Sequence, residues 1–427
     1  MRPGADYNFV PGQPTPQVVA TEGAELVLSD GRRILDAGGG AIVLNIGHGR
    51  PEIAEVAARS LAVVDYVIPP WSTPDRQGLV DRLVRSWLPA GIDRVALMSG
   101  GSESVDSALR LAHSYHVCNG EPDRWKVIGR WPSYHGVTIG GLSVGGHRAR
   151  RAGMDRLLLD FPHVAWDDAD AVEAMIEAQG PETVAAFIAE PVIGAAGGAL
   201  VPPADYFPRV AEICRRYGVL FIADEVMTGF GRTGRKFGID HWDVVPDILV
   251  GGKGLSGGYA PMGGVYAKSS VTQTLADKGQ GFMFFTYASH SSACAISDRV
   301  LEIMEQEQLV ERCATVGAKL IARLREVFAE HPHVSEVRGL GLMIGLELVA
   351  ERSPQRWFPA GAQFAAAVVR EALDRGVWVY PAGSGDPVQD AVMLGPPFTI
   401  TDAEMDRLVE VLHAAVDAAA ASISASA

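Results

Sequence analysis

Three short stretches of the chain place reactive residue types at the ends of apolar runs. In Gly251-Gly252-Lys253-Gly254 a lysine follows Asp247-Ile248-Leu249-Val250, and the flanking glycines leave its amine open to approach. Burial disfavours the charged form of lysine, so such an amine is a candidate nucleophile for Schiff-base chemistry; a lysine solvated in a loop is the plainer alternative. Asp224-Glu225 ends the wholly apolar run Phe221-Ile222-Ala223. A carboxylate in that place needs a cationic or hydrogen-bonding partner. A metal ion and a protonated ring nitrogen both qualify, and the metal is disfavoured because no histidine or third acid stands nearby at ligand spacing. Ser99-Gly100-Gly101-Ser102-Glu103 precedes a helical stretch, where free backbone N–H groups attract phosphate; a simple N-cap is the alternative.

The elements that must carry these residues follow from periodicity. Residues 94–98, 126–129, 185–189, 219–223, 247–250 and 264–267 are short apolar segments without alternation, which suits strands covered on both faces of a parallel α/β sheet. Ligands collect at the carboxyl ends of such strands. Helical spacing predicts helices over 51–64, 77–87 and 104–116, a long one from Ser297 to about Glu330, and others over 360–375 and 401–419. The first 35 residues read as proline-rich loop and then a hairpin, and the final AAAASISASA reads as frayed. Residues 334–348 alternate like a strand pair, with a further strand at 377–380. The expected architecture is a large central domain, 56–314, and a smaller α+β domain assembled from segments 1–55 and 315–427.

A phosphate cradle, a buried aspartate and a desolvated lysine are together the parts needed to hold pyridoxal phosphate. With these residues in view, the sequence resembles a class III aminotransferase of the fold-type I pyridoxal-phosphate enzymes over nearly its whole length. Phe221 to Gly234 (FIADEVMTGFGRTG) is similar to the family's strand and loop around the pyridine-binding aspartate, and Pro246 to Leu255 (PDILVGGKGL) resembles the segment bearing the Schiff-base lysine. The resemblance implies Lys253 and Asp224 as catalytic residues, and Gly101, Ser102, Tyr134, His135, Glu190 and Val226 as cofactor contacts. Within these, Tyr134-His135-Gly136 matches the segment whose aromatic ring stacks on the cofactor, and Val226 packs on the opposite face. Thr286, in Phe285-Thr286-Tyr287, is implied to reach the phosphate of a neighbouring subunit's cofactor, so a homodimer or tetramer is expected. Trp71 resembles an aromatic wall of the substrate pocket, with a tryptophan of the core or subunit interface as its alternative.

Several positions depart from the family pattern. Relatives acting on free α-carboxylates usually carry an arginine three residues before the Pro-Pro of the C-terminal motif; here, before Pro396-Pro397, Met393 stands there, and a thioether cannot clamp a carboxylate. This favours an amine or ω-amino acid as donor and pyruvate or 2-oxoglutarate as oxo-acid acceptor. Met227 replaces a frequent glutamine, and the Glu190 to Gly198 loop is one residue longer than usual. Glu190 reads either as an active-site carboxylate or as an orienting group. Arg232 reads as structural. Arg148, Arg150 and Arg151 form an unassigned cluster, of which Arg151 aligns with a family arginine. An aminomutase, amino-acid epimerase or decarboxylase of the same fold is the rival reading.

Composition narrows the class further. The chain has 427 residues, with 37 lysines and arginines against 51 acids and a net charge of −14. That balance argues against nucleic-acid or anionic-membrane binding. Only six of the basic residues are lysines. No segment has the pattern of a signal peptide or a membrane span. The four cysteines are widely separated and suggest reduced thiols in a cytoplasmic protein with no metal site.

Overall fold

The computed structural model describes residues 16–426 apart from residue 283, so the proline-rich opening lies, up to residue 15, outside the described residues. Three N-terminal strands come first: β1 (Val18–Glu22), β2 (Glu25–Leu28) and β3 (Arg33–Asp36). The expected hairpin is β2–β3; β1 was not expected, since all five of its residues are exposed and no burial pattern marks it.

The central sheet comprises β4 (Ile92–Met98), β5 (Lys126–Trp131), β6 (His163–Ala165), β7 (Val184–Ala189), β8 (Leu220–Asp224), β9 (Ile248–Gly251) and β10 (Gly263–Lys268). Their order is β4-β10-β9-β8-β7-β5-β6. The pairs β9–β8–β7–β5–β6 are parallel, while β10 runs antiparallel to both of its neighbours. The mostly parallel α/β sheet expected from the apolar runs is therefore present, with one reversed strand. Sequence could not show the reversal, because β10 is buried nearly throughout and reads like its parallel neighbours. Every residue of β7 and β8 is buried.

The C-terminal third adds β11 (Val334–Leu340), β12 (Met343–Leu348), the short hairpin β13 (Glu351–Arg352) and β14 (Gln355–Arg356), then β15 (Val377–Trp378), β16 (Tyr380–Ala382) and β17 (Asp390–Leu394). The expected strand pair is the antiparallel β11–β12. The single strand expected at 377–380 is split. β15 joins β3 in the sheet β1-β2-β3-β15, and β16 joins β17 in the sheet β11-β12-β17-β16.

Two helical expectations need correction. The long helix after Ser297 is two helices, Ser291–Gln306 and Leu309–Val327, because Gln308 takes a left-handed backbone conformation with φ 51° that no continuous helix accommodates. The C-terminal tail is helical as far as it is described: its helix runs Asp402–Ser426, with residue 427 outside the described residues, since alanine is the best helix former and Ala415, Ala419 and Ala420 are buried against the core. The four cysteines are unpaired, and among the described residues no helix is long and apolar enough to cross a membrane.

Candidate active site

The parallel strands send their carboxyl ends to one edge of the sheet, and each predicted inner residue follows such an end. Lys253 lies two residues beyond β9, Asp224 closes β8 opposite Val250, and Glu190 is the first residue after β7. Tyr134 and His135 follow β5, and the helix Gly101–Cys118 starts three residues after β4. These elements enclose a cavity of about 170 Å³ lined by Gly101, Ser102, Tyr134, His135, Glu190, Asp224, Val226 and Lys253. Residues as far apart in the chain as Gly101 and Lys253 thus meet because the strands are adjacent.

The helix was expected from Ser104 but begins at Gly101, so Gly101 and Ser102 lie in its first turn, where backbone N–H groups have no intrahelical acceptor. Side chains are excluded here by space. A Cβ on Gly101 would stand 2.8 Å from Val226 Cγ1, and one on Gly136, whose φ is 112°, would stand 2.5 Å from Ser102 Oγ. The result is a bare backbone cradle at the positive end of an 18-residue helix.

Opposite the cradle, Asp224 is almost completely buried. Its Oδ1 accepts the Val226 backbone N–H at 3.0 Å and its Oδ2 lies 2.6 Å from His135 Nδ1. A carboxylate only accepts, so the shared proton belongs to the imidazole. His135 Nε2 is buried with no partner. The pair therefore presents an oriented anion to the cavity. Its neighbour Glu225 turns the other way, into the protein: it accepts from Thr228 Oγ1, from Gly238 N at 2.8 Å and from Ile239 N at 2.7 Å, and burial pushes its pKa up to about 7. The two adjacent acids flagged together in sequence have opposite surroundings.

Lys253 opens a single helical turn, Lys253–Leu255, with its own φ at 39°, a conformation uncommon outside glycine. Asn45 Nδ2 holds that turn by donating to Gly254 O at 2.8 Å. Burial lowers the Lys253 amine to about 8, overcoming the opposing pull of Glu190 and Asp224, with the charges of Arg232 and Arg150 acting in the same direction as burial. An amine so shifted is a candidate nucleophile and base.

Glu190 is buried, and burial raises its pKa. It accepts from Tyr134 N and Gly194 N, both at 2.9 Å, so it lines the cavity and also orients the Tyr134 backbone. Arg232 donates to the carbonyls of Leu44, Leu342 and Pro396, at 3.3 Å and 2.7 Å for the last two, and is fully enclosed; it ties the strands' loops together. Val105 and Met227 also line the cavity. Val105 was missed although it stands four residues after Gly101 on the same helix face, a spacing that could have marked it.

Two predicted residues lie outside this cavity. Thr286 is exposed, and its carbonyl accepts from the Tyr66 hydroxyl at 3.2 Å. Trp71 is 68% exposed, which removes the core alternative.

These residues fit pyridoxal 5'-phosphate: an anion cradle too tight for side chains, an aspartate aimed across it, and a lysine whose proton is already loosened. An α/β transferase with a cofactor held at strand ends is the class that the fold and cavity define. The class III aminotransferase family model matches residues 11–416. A putrescine–pyruvate aminotransferase of Pseudomonas aeruginosa is 33% identical over 442 aligned residues, covering 99% of this chain and 95% of the other. An (S)-enantioselective omega-transaminase from Thermomicrobium roseum superposes with a TM-score of 0.90 at 36% identity, covering 95% and 93% of the two chains. The omega-transaminase of Pseudomonas jessenii, solved in complex with PMP, gives 0.91 at 29% identity over 98% and 97%. The chain belongs to the class III aminotransferases, which are pyridoxal-phosphate-dependent enzymes.

Proposed function

We propose that the chain moves an amino group from an amine or ω-amino acid to an oxo acid such as pyruvate or 2-oxoglutarate. The observation that carries this reading is the shared cavity in which the lowered-pKa amine of Lys253 faces the Asp224–His135 pair. Gly101 and Ser102 would hold the cofactor's phosphate, Tyr134 and Val226 its ring faces, and Asp224 its ring nitrogen, with His135 and Glu190 fixing the aspartate and the Tyr134 loop. Bound there, pyridoxal phosphate supplies an electrophilic carbon for the incoming nitrogen and a ring that withdraws electrons from the adjacent C–H bond. Lys253 Nζ would take the proton from the donor's C–H carbon and return it to the carbon on the other side of the transferred nitrogen. Asp224 keeps a proton on the ring nitrogen by charge.

The chain acts in this reading as a cytoplasmic homodimer or tetramer, with Thr286 of each subunit reaching its neighbour's phosphate and Trp71 walling the substrate pocket. Exposure of the large apolar side chains Trp71, Val137, Ile139 and Tyr287 supports a covering subunit. We also divide the chain into a large domain, 56–314, and a small one of residues 1–55 and 315–427.

The test is a half-reaction screen. Purified holoenzyme is mixed with a panel of amines and amino acids, and loss of its visible absorbance is followed, then its recovery on adding pyruvate or 2-oxoglutarate. Amine-dependent bleaching and formation of alanine or glutamate support transfer. Isomerised or decarboxylated donor without any acceptor requirement overturns it.

A further inference from the structure

The Arg148-Ala149-Arg150-Arg151 cluster separates into three different roles. Arg151 is engaged with the backbone: its Nη1 donates to the carbonyls of Leu142, Ser143 and Gly145 at 2.7, 2.9 and 3.0 Å. Arg148 is exposed and lies over the Trp131 ring, 4.8 Å from its centroid. Arg150 is half-buried, with its guanidinium 4.5 Å from the centroid of Tyr134, a residue of the cavity wall. Among the described residues the Arg150 guanidinium has neither a hydrogen bond nor an ion pair.

That isolation is unusual in a chain of net charge −14. The carboxylates nearest the cavity are committed elsewhere: Glu190 to the backbone of Tyr134 and Gly194, Asp224 to His135 and Val226. The charge of Arg150 is nonetheless felt at Lys253, whose protonation it opposes, and outside the cavity it opposes, with burial, that of His147. A planar cation whose donors find no acceptor among the described residues, held over an aromatic ring of the cavity wall, matches a carboxylate bidentately. No arginine is available at the C-terminal motif, where Met393 is wholly buried in β17 opposite Gly345.

We propose that Arg150 binds the carboxylate of the oxo-acid acceptor, approaching it from the Tyr134 side of the cavity. The inference rests on the aminotransferase reading and assigns a residue that neither the sequence nor the family match singles out.

The test compares acceptors in the holoenzyme and its Arg150→Met, Arg150→Lys and Arg148→Met variants. Pyruvate carries the carboxylate and propanal lacks it, so the ratio of their kcat/KM values isolates that contact. Propionate, which cannot react, reports the same contact by calorimetric binding. Arg150→Met is expected to lower the pyruvate/propanal ratio at least tenfold and to weaken propionate equally, with Arg150→Lys intermediate because a point charge without the fork remains. A ratio and a propionate affinity that stay within twofold in Arg150→Met, or that fall only in Arg148→Met, overturn the proposal. If the unsubstituted enzyme aminates neither acceptor, the aminotransferase reading fails instead, and propionate binding still decides Arg150. Should Arg150→Met not fold, the Arg150→Lys ratio decides alone: unchanged overturns, reduced supports.

Discussion

The floor of the cavity and its mouth are built by opposite rules. On the floor, Asp224, His135 and Glu190 follow or close strands and are held by hydrogen bonds to one another or to nearby backbone, and Asn45 holds the turn that carries Lys253. At what the proposed function makes the mouth, Trp71 and Thr286 are exposed, and the Arg150 guanidinium has an aromatic ring but, among the described residues, no polar partner. Floor residues find their partners within one chain, whereas in the proposed function the mouth residues await a substrate or a second subunit. The difference predicts that floor substitutions act on the chemical step, and mouth substitutions on recognition and assembly.

The most severe test of the floor is Lys253→Ala. Turnover should fall by about 10⁴-fold or more, the upper end of what a positioned acid–base group contributes, and the visible absorbance of the holoenzyme should vanish. Substantial retained turnover would break the assignment. The same residue gives a pH signature. Only the neutral amine attacks, so uptake of pyridoxal phosphate by cofactor-free enzyme should accelerate as pH rises through about 8, the lowered Lys253 value. A midpoint near 10 would mean that the amine is not desolvated.

Asp224→Ala comes next. Loss of a preorganised charge where the ring nitrogen sits should cost roughly 10²–10³ in kcat, measured in the half-reaction, with KM for the amine changed much less. A loss confined to KM would move Asp224 from the chemistry to binding.

Glu225 sharpens the comparison from beneath the floor, because its effect should appear in stability. Glu225→Ala leaves Thr228 Oγ1, Gly238 N and Ile239 N without their buried acceptor. At about 1–3 kcal/mol for each unpaired buried donor, and less than additively, several kcal/mol should be lost in denaturant unfolding. The sign of the pH effect follows from its raised pKa of about 7 against 4.5 when exposed. Between those values the folded chain holds the proton more tightly, so the Glu225 contribution falls as pH rises from about 4.5 to about 7. Glu225→Gln should flatten that slope.

What sequence made legible divides along the same line. Apolar runs located the strands, and the reactive residues just past their ends located the floor, since burial on both faces and a strand end are local signals. Reversal of β10 was invisible because its near-complete burial matches that of the parallel strands β7 to β9. The break at Gln308 and the division of residues 377–382 between two sheets were missed because tertiary pairing, not local pattern, decides them. Asp224 and Glu225 looked alike in sequence; only the loop returning through Gly238 and Ile239 distinguishes them. Arg148, Arg150 and Arg151 were one charge run until the carbonyls around Arg151 and the ring under Arg150 told them apart.

The mildest expected effect belongs to the mouth. Trp71 is the most exposed of the large aromatics among the described residues, and its stretch is tied to the Thr286 loop by Tyr66, whose ring meets Tyr287 edge-on at 6.1 Å and whose hydroxyl reaches Thr286 O. For an isolated exposed tryptophan, truncation changes stability by no more than about 0.5 kcal/mol and leaves unfolding independent of protein concentration. For a tryptophan covered by a second subunit, loss of the ring weakens association. Trp71→Ala should therefore raise the dimer dissociation constant about tenfold, equivalent to about 1.4 kcal/mol, in sedimentation measurements. Lys253 uptake of cofactor should change far less. A dissociation constant unaltered by the substitution would separate the mouth from the subunit interface and leave Trp71 to the substrate alone.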